Sequence, residues 1–300
     1  MNERASKMKF KNPIIKGYYA DPDVAVFDGK IYIYPTTDGN NWESSSFKAF
    51  SSVDMENWTD EGIILDLNDV EWTEGKYAWA PAICEYNGKY YFYYSGNKNI
   101  GVAVSDSPTG PFIDAGKPIA AKEDYDFQVI DPDVFIDDDN QPYLYFGNSK
   151  MLVAKLNDDM ISFATEPVEI TPPNYSEGTC VFKRNGIYYF TWCCDDTCSP
   201  NYHVRYGKSD SPLKKPIGDE VILHRDFAED KTIKCTGHHT ILNTPGTDEW
   251  YIIYHRFCAK DYGHTEDFNF EAGSHRELCI DRMYFDEEGN ILPIKPTNGK

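Results

Sequence analysis

The sequence predicts an all-β protein that forms one five-bladed β-propeller. One strand–turn–strand pattern occurs five times along the 300 residues, which gives about 60 residues per repeat. No segment of useful length shows the 3.6-residue periodicity of an amphipathic helix. Repeats of this length with several short strands each are typical of propeller blades. A β-sandwich would not repeat one hairpin at this spacing, so we predict a single domain over residues 1–300, with an N-terminal tail of about residues 1–11.

The repeated element is a turn followed by an aromatic-rich strand. Asp-Gly or Asn-Gly forms the turn in three copies, and these pairs favour a two-residue hairpin because both central positions of a type I′ turn need a positive φ. The five copies occupy Asp28–Tyr34, Asn87–Tyr93, Asp139–Tyr145, Asn185–Thr191 and Thr247–Ile253. Their alignment places five tyrosines in one column, Tyr32, Tyr91, Tyr143, Tyr189 and Tyr251.

Other short apolar strands flank each hairpin. A strand before the turn is predicted at Val24–Phe27, Ala82–Cys84, Val134–Ile136, Thr179–Phe182 and Thr240–Leu242. A further strand follows the hairpin, as at Ile100–Val104 and Val204–Gly207. Each repeat therefore contains the three or four strands that one blade requires.

Composition and charge exclude several classes of protein. Hydrophobic residues make up 41% of the chain, which is enough for a packed core and excludes a disordered chain. The 29 basic and 49 acidic side chains give a net charge of −20, so neither nucleic acid nor an anionic membrane surface is an expected partner. No apolar stretch approaches the roughly 18 residues that span a bilayer. The N-terminus shows no signal-peptide pattern, which predicts a cytoplasmic protein with eight reduced cysteines.

Functional residue types stand at the head of the first strand in each repeat. The first strand of a propeller blade lines the central axis, so residues just before it converge at one end of the channel. These positions hold Asp21, Trp79, Asp131, Glu177 and His238. Three carboxylates brought together repel one another, which indicates a functional site rather than three unrelated turns. Trp79 offers a flat apolar face to a sugar ring, and a position in the core would explain it equally well.

This set of residues suits the hydrolysis of glycosidic bonds. One carboxyl group must carry a proton for the leaving oxygen, and another must be ionised to activate water. A third carboxylate nearby raises the pKa of the acid, because two adjacent carboxyl groups resist ionising together. The three acids therefore indicate a glycosidase with a carbohydrate substrate.

Longer stretches around these residues resemble glycoside hydrolase family 43, whose members share a five-bladed propeller. The similar stretches are Asn12–Asp23, Trp79–Pro81, Ile130–Asp137, Ser176–Thr179, Thr236–His239 and Tyr254–His255. They extend over essentially the whole chain. The resemblance implies that Asp21 is the general base, Glu177 the general acid and Asp131 the residue that modulates the pKa of the acid. It also implies a reaction that inverts the anomeric configuration.

The same resemblance implies a metal ion and one more substrate contact. His238 would help to hold a structural calcium ion on the propeller axis, largely through water, and the adjacent His239 leaves open which imidazole faces the ion. Arg276 would contact the substrate, as the matching arginine does in some xylosidases and arabinofuranosidases. An ion pair on the surface would explain Arg276 equally well.

The expected activity is the release of terminal pentoses by an exo-acting hydrolase. The sugars are β-D-xylose, α-L-arabinofuranose or both, and the substrates are short xylan- or arabinan-derived oligosaccharides. An endo-arabinanase with an open groove is the alternative within the same class. A propeller that binds sugars or proteins without catalysis is the alternative from another class. Such a scaffold has no need for Asp21, Asp131 and Glu177 together.

Overall fold

The computed structural model describes residues 10–298 and contains five antiparallel sheets arranged as the blades of a propeller. Four of these sheets have four strands, and the fifth has three. In each sheet the strands follow one another in chain order, joined edge to edge. The predicted all-β, five-bladed fold is therefore confirmed.

In each blade the strands follow one another from the axis outward. Blade one consists of β1 (Tyr19–Phe27), β2 (Lys30–Thr37), β3 (Ser46–Ser52) and β4 (Thr59–Asp66). Blade two consists of β5 (Trp79–Tyr86), β6 (Lys89–Gly96), β7 (Asn99–Ser105) and β8 (Ile113–Asp114). Blade three consists of β9 (Asp133–Ile136), β10 (Pro142–Phe146), β11 (Leu152–Lys155) and β12 (Val168–Glu169).

Blade four consists of β13 (Glu177–Arg184), β14 (Ile187–Cys194), β15 (His203–Ser209) and β16 (Ile217–Leu223). Blade five consists of β17 (Gly237–Asn243), β18 (Trp250–Phe257) and β19 (Arg276–Met283). Two helices of four residues each, α1 (Ala259–Tyr262) and α2 (Phe270–Gly273), lie in the loop between β18 and β19. Short 3₁₀ turns occur at Leu67–Asp69, Lys122–Asp124 and Arg225–Phe227. No helix of the described part of the chain is long and apolar enough to cross a membrane.

The first strands of neighbouring blades contact one another in a closed ring around the axis. The N-terminal segment lies along β19, the outer strand of blade five, where the backbone N–H of Ile14 donates to the carbonyl of Leu278 at 2.9 Å. The buried side chain of Asn12 also bonds the backbone of Ile280 through both its amide nitrogen and its oxygen. Residues 1–9 of the expected tail lie outside the described residues. Phe10 already packs edge-on against the ring of Tyr251.

The hydrophobic core consists of five clusters, one between each pair of adjacent blades. Each of the five aligned tyrosines is buried on the second strand of its blade and belongs to a different cluster. The repeated aromatic strand therefore seals the interface with the neighbouring blade, which explains why the repeat retains it.

The predicted hairpin turns have the expected backbone conformation. Asp28 and Gly29 have φ of 50° and 75°, and the equivalent Asn-Gly pairs of blades two and four are both left-handed as well. Strands β1 and β2 continue pairing up to this turn, where Phe27 opposes Lys30. The Asp-Gly and Asn-Gly turns thus determine the strand register of three of the five hairpins.

Candidate active site

One residue at the head of each blade has a left-handed backbone. These residues are Asp21 (φ 47°), Ala80 (φ 38°), Asp131 (φ 58°), Gly178 (φ 61°) and His238 (φ 32°). Four of the five are not glycine, and such a conformation costs roughly 1–2 kcal/mol in an L-residue. Strain of this kind tends to concentrate at functional sites. The register of the first strand shifts at this point in blades one, two, four and five.

Glu177 departs from the equivalence that the sequence alignment predicts. Asp21 and Asp131 occupy the left-handed position, whereas Glu177 precedes the left-handed Gly178 by one residue. Because side chains alternate along a strand, this offset aims the carboxyl group of Glu177 differently from those of Asp21 and Asp131. The three acids therefore meet at one end of the channel, although Glu177 does not occupy the repeat position that Asp21 and Asp131 share.

Backbone N–H groups of the left-handed residues link each blade to the preceding one. In four cases the acceptor is a side chain on a second strand: Ala80 donates to Thr36 (2.7 Å), Asp131 to Ser95 (3.1 Å), His238 to Cys193 (3.0 Å) and Asp21 to His255 (3.3 Å). In the remaining case the equivalent residue of blade three is Gly147, which has no side chain. The N–H of Gly178 donates instead to Oδ2 of Asp131, at 3.1 Å. Because Gly147 offers no side-chain acceptor, the carboxylate of Asp131 makes the link between blades three and four.

Asp21 is held by a buried arginine from the far end of the chain. Nη1 and Nη2 of Arg276 donate to the two carboxylate oxygens of Asp21 at 2.7 and 3.2 Å. Asp38 anchors the same guanidinium group, accepting from Nε at 2.8 Å and from Nη2 at 2.9 Å. Asp21 is 5% exposed and Arg276 is 1% exposed. The interpretation of Arg276 as a surface ion pair is therefore wrong.

Glu177 accepts hydrogen bonds at both of its carboxyl oxygens. Nδ2 of Asn148 donates to Oε2 at 2.7 Å, and the hydroxyl of Tyr202 donates to Oε1 at 2.8 Å. Tyr202 reaches this position because it packs directly on Gly237. A Cβ atom at residue 237 would lie 2.4 Å from the Tyr202 ring. The absence of a side chain at Gly237 thus allows Tyr202 to reach the carboxyl group of Glu177.

His238 lies beside all three carboxylates. Its Nδ1 is 3.2 Å from Oδ1 of Asp21 and 3.8 Å from Oδ2 of Asp131. One donor atom each of Asp131, Glu177 and His238 falls within 4.8 Å of the other two. The neighbouring His239 points elsewhere, since its Nε2 lies 2.6 Å from Oγ1 of Thr191. Of the two histidines, it is therefore His238 that faces the acids.

The surroundings separate the protonation states of the acids. Burial acts to raise the pKa of Asp21, but the charges of Arg276 and His238 outweigh it and hold that pKa well below its usual value. Burial raises the pKa of Glu177 to about 7 against the opposing hydrogen bond from Tyr202, and the charge of Asp21 adds to the rise. Burial and the charge of Glu177 also raise the pKa of Asp131 well above its usual value. At neutral pH, Asp21 is ionised while Glu177 and Asp131 retain a proton between them.

Replacing Asp131 by asparagine should move the alkaline limb of the pH–rate profile to lower pH. Glu177 and Asp131 repel each other when both are ionised, so the second of their two protons is lost at a higher pH than the proton of a single carboxyl group. The variant has no carboxyl group at position 131, and the pKa of Glu177 should therefore fall. A shift on the order of one pH unit is expected from coupling of this size. The check is kcat/KM against pH for both proteins, and an alkaline limb that stays in place would contradict the modulating role. Asparagine keeps the oxygen that accepts from Gly178.

Trp79 lies at the same end of the channel as the acids. It is the first residue of β5, and its indole Nε1 donates to the carbonyl of Trp42 at 2.9 Å. Its ring is half-buried and contacts the rings of Trp42 and Tyr77. Trp79 is thus not a core tryptophan, and its contact with substrate stays a prediction.

The guanidinium of Arg276 is directed at protein acceptors. Besides Asp21 and Asp38, it donates to the hydroxyl of Thr197 at 3.3 Å. This arrangement favours a role in holding Asp21 in place and ionised. Direct contact between Arg276 and the substrate stays a prediction.

Four site residues escaped the sequence analysis as candidates, namely Asp38, Asn148, Tyr202 and His255. His255 was detectable in principle, because it lies opposite Gly237 in the β17–β18 pair, at the head of blade five. Asp38, Asn148 and Tyr202 lie in the loops between the second and third strands of their blades, and the length of this loop varies between repeats. No spacing rule within the repeat could have identified them.

Comparisons with known proteins agree with this arrangement. The family model described as Glycosyl hydrolases family 43 matches residues 10–291. A β-D-galactofuranosidase of Aspergillus niger is 36% identical over 97% of this chain and 87% of its own length. A xylosidase/arabinosidase of Bacteroides ovatus is 31% identical over 93% of this chain and 95% of its own. A β-xylosidase/α-arabinofuranosidase from a compost microbial metagenome, solved with xylotriose in a calcium-free form, matches with a TM-score of 0.79 at 26% identity, covering 97% of this chain and 98% of its own.

Proposed function

The chain belongs to glycosyl hydrolase family 43, and we propose that it is an inverting exo-glycosidase that releases terminal pentoses from short oligosaccharides. The sugars are β-D-xylose, α-L-arabinofuranose or both. The names of the xylosidase/arabinosidase relatives support this choice of substrate. The expected partner is therefore a neutral oligosaccharide.

The observation that carries the proposal is the opposite shift in the pKa values of Asp21 and Glu177. Arg276 holds Asp21 ionised, and Glu177 stays protonated up to about pH 7. Two carboxyl groups whose surroundings drive their pKa values apart can act as base and acid at the same pH. A propeller that only binds sugar or protein has no use for this difference.

In the proposed reaction Glu177 gives its proton to the leaving oxygen as the glycosidic bond breaks. Asp21 takes a proton from a water molecule, whose oxygen forms the new bond to the anomeric carbon from the opposite side. No covalent bond to the enzyme forms, so the configuration inverts. Asn148 and Tyr202 hold the carboxyl group of Glu177 toward the leaving oxygen. Asp21 then releases its proton to solvent and Glu177 takes one up, which restores the starting state.

A second candidate substrate is a terminal β-D-galactofuranoside. It is supported by the relative from Aspergillus niger, which is 36% identical over nearly the whole chain. Galactofuranose and arabinofuranose share the five-membered ring, and they differ by an additional carbon and hydroxyl outside the ring. Which of the two sugars the enzyme accepts depends on how much space the site leaves for the additional carbon and hydroxyl of galactofuranose.

The proposed function is tested with a panel of substrates. The purified protein is incubated with nitrophenyl β-D-xyloside, α-L-arabinofuranoside and β-D-galactofuranoside, and with linear arabinan. Release of a monosaccharide from one of the pentosides supports the proposal, and NMR of the fresh product reports whether the anomer is inverted. Cleavage of galactofuranoside alone would favour the second candidate, and internal cleavage of arabinan would favour the endo-acting alternative. Absence of cleavage on all four would overturn the proposal.

We also propose that calcium binds close to His238. The donor set fits the ion in part: Asp131, Glu177 and His238 bring two carboxyl oxygens and one ring nitrogen within 4.8 Å. Calcium takes six to eight oxygen ligands, so water would have to supply most of them. Both oxygens of Glu177 already accept hydrogen bonds, which favours a water-mediated contact. When bound, the ion would strengthen the positive potential at the axis.

Removal of calcium should lower the melting temperature, because a ligand that binds only the folded state stabilises it. The measurement is thermal unfolding of chelator-treated protein before and after calcium is added back, with magnesium as the control ion. In His238→Ala the response to calcium should be lost. An unchanged melting temperature in protein verified to be metal-free, with no binding heat on titration, would remove calcium from the proposal.

The cytoplasm is the proposed location. All eight cysteines are buried and unpaired in the described chain, and such thiols are typical of a reducing compartment. Cell fractionation with an antibody against the untagged protein tests the location, and recovery in the culture medium would overturn it.

A further inference from the structure

An exposed phenylalanine stands at the rim of the candidate active site. Phe270 is the first residue of α2, in the loop between β18 and β19, and 62% of its surface is exposed. A large apolar side chain gains nothing from exposure to water. When such a side chain adjoins a functional site, contact with a ligand is the natural explanation.

Phe270 extends a row of aromatic rings. Its ring centroid is 6.0 Å from that of Trp42, and the ring of Trp42 is in turn 6.1 Å from that of Trp79, edge to face. We call these three residues, Trp42, Trp79 and Phe270, the aromatic wall. Trp42 has a left-handed backbone with φ of 72°, which is unfavourable for a bulky residue and indicates that its placement matters.

The aromatic wall begins where the acidic pocket ends. The guanidinium carbon of Arg276 lies 5.0 Å from the Trp42 ring centroid, and Nη1 of the same arginine binds Asp21 at 2.7 Å. Exposure rises along this path, from the buried Asp21 through the half-buried Trp42 to Phe270. Asp21 and Asp38 occupy the donors of Arg276 behind the wall, and the three rings carry no charge, so the wall offers an apolar surface to a neutral ligand.

The position of Phe270 is fixed by the segment around it. The N–H of Asn269 donates to the carbonyl of Cys198 at 2.8 Å, and the side chain of Asn269 caps α2 by accepting from Ala272 at 3.0 Å. A Cβ atom at Gly273 would lie 2.5 Å from Sγ of Cys198 and 2.9 Å from Cζ2 of Trp42. The helix therefore packs directly on Trp42, and Phe270 needs little ordering when it binds a ligand.

We propose that the aromatic wall binds the first sugar ring of the leaving group. The inference rests on the proposed exo-acting function, in which the terminal sugar occupies the carboxylate pocket and every further ring lies outside it. The C–H face of a sugar is apolar and complements the face of an aromatic ring. Phe270 and Trp42 would thus distinguish oligosaccharides from substrates with a small leaving group.

The test compares Phe270→Ala with a matched control, Phe268→Ala. Phe268 is also 62% exposed and lies two residues away, but it makes no ring contact among residues 10–298. The substrates are a trisaccharide and a methyl glycoside of the pentose that the wild type releases, either xylotriose and methyl β-D-xyloside or arabinotriose and methyl α-L-arabinofuranoside. The methyl glycosides contain no second ring for the wall to bind.

Phe270→Ala should raise KM for the trisaccharide about tenfold, equal to about 1.4 kcal/mol, and change kcat/KM for the methyl glycoside less than about twofold. Phe268→Ala should change neither value, and Phe270→Tyr should retain the wild-type KM. Equal effects of Phe270→Ala on both substrates, or no effect on either, would overturn the inference.

Wild-type protein that cleaves neither substrate would instead contradict the proposed function. In that case the inference is tested by calorimetric titration of the wild type and of Phe270→Ala with the trisaccharide. It is overturned if the wild type does not bind the trisaccharide, or if Phe270→Ala binds it with the same affinity.

Discussion

Glu177→Gln should lower kcat/KM for an oligosaccharide by 10²–10⁴-fold, as for loss of a general acid, equal to roughly 3–5 kcal/mol. A sugar alkoxide is a poor leaving group and needs the proton that Glu177 carries up to about pH 7. A nitrophenolate departs with little help, so the loss on a nitrophenyl glycoside should be clearly smaller. The measurement is kcat/KM for both substrates on the same enzyme preparations.

Two further observations make this test specific to the acid. The residual activity of Glu177→Gln should lose its alkaline limb, because glutamine does not titrate. The control is Glu85→Gln, which makes the same chemical change at an exposed position of β5 and should leave both substrates unaffected. Equal losses of Glu177→Gln on the two substrates would mean that another residue supplies the proton.

Asp21→Ala should lose most of its activity on both substrates alike. The carboxylate activates the attacking water, and that step is needed however good the leaving group is. General bases contribute on the order of 10²–10⁴-fold, so a loss of this size is expected for the oligosaccharide and the nitrophenyl glycoside. The measurement is again kcat/KM on the pair of substrates, where Asp21→Ala should lose activity equally on both and Glu177→Gln mainly on the oligosaccharide.

Removal of Asp21 also changes the surroundings of Arg276, and the fold must be checked separately. Asp38 still neutralises the buried guanidinium in the variant, which limits the loss of stability. Asp21→Asn retains the size of the side chain and one acceptor for Arg276, so it should fold like the wild type and remain inactive. Circular dichroism and thermal unfolding verify this. A folded Asp21→Asn with wild-type activity would show that Asp21 is not the base.

The blades of this propeller could be predicted because their signals are local. Asp28-Gly29 and its two Asn-Gly equivalents set hairpin turns, and the aligned tyrosines mark the buried face of the second strand. Each blade is built from neighbours in sequence, so a repeat of the pattern is enough to count the blades. Asp21, Asp131, Glu177 and His238 followed from the same argument, since the head of the first strand faces the axis in every blade.

The tertiary structure decided what these residues can do. The pKa of Asp21 depends on Arg276, which is 255 residues away along the chain, and Arg276 in turn depends on Asp38. Glu177 depends on Asn148 and Tyr202, and no repeat rule relates them to it.

The physical reason is that a repeat specifies the backbone of a blade, whereas electrostatics and packing act through space. The same distinction separates Phe268 from Phe270. The two phenylalanines are two residues apart and equally exposed, and only Phe270 rests on Trp42. The sequence by itself therefore determined the number of blades and the end of the channel where the acids meet. Only the folded chain decided which acid keeps its proton and which aromatic ring lies beside the site.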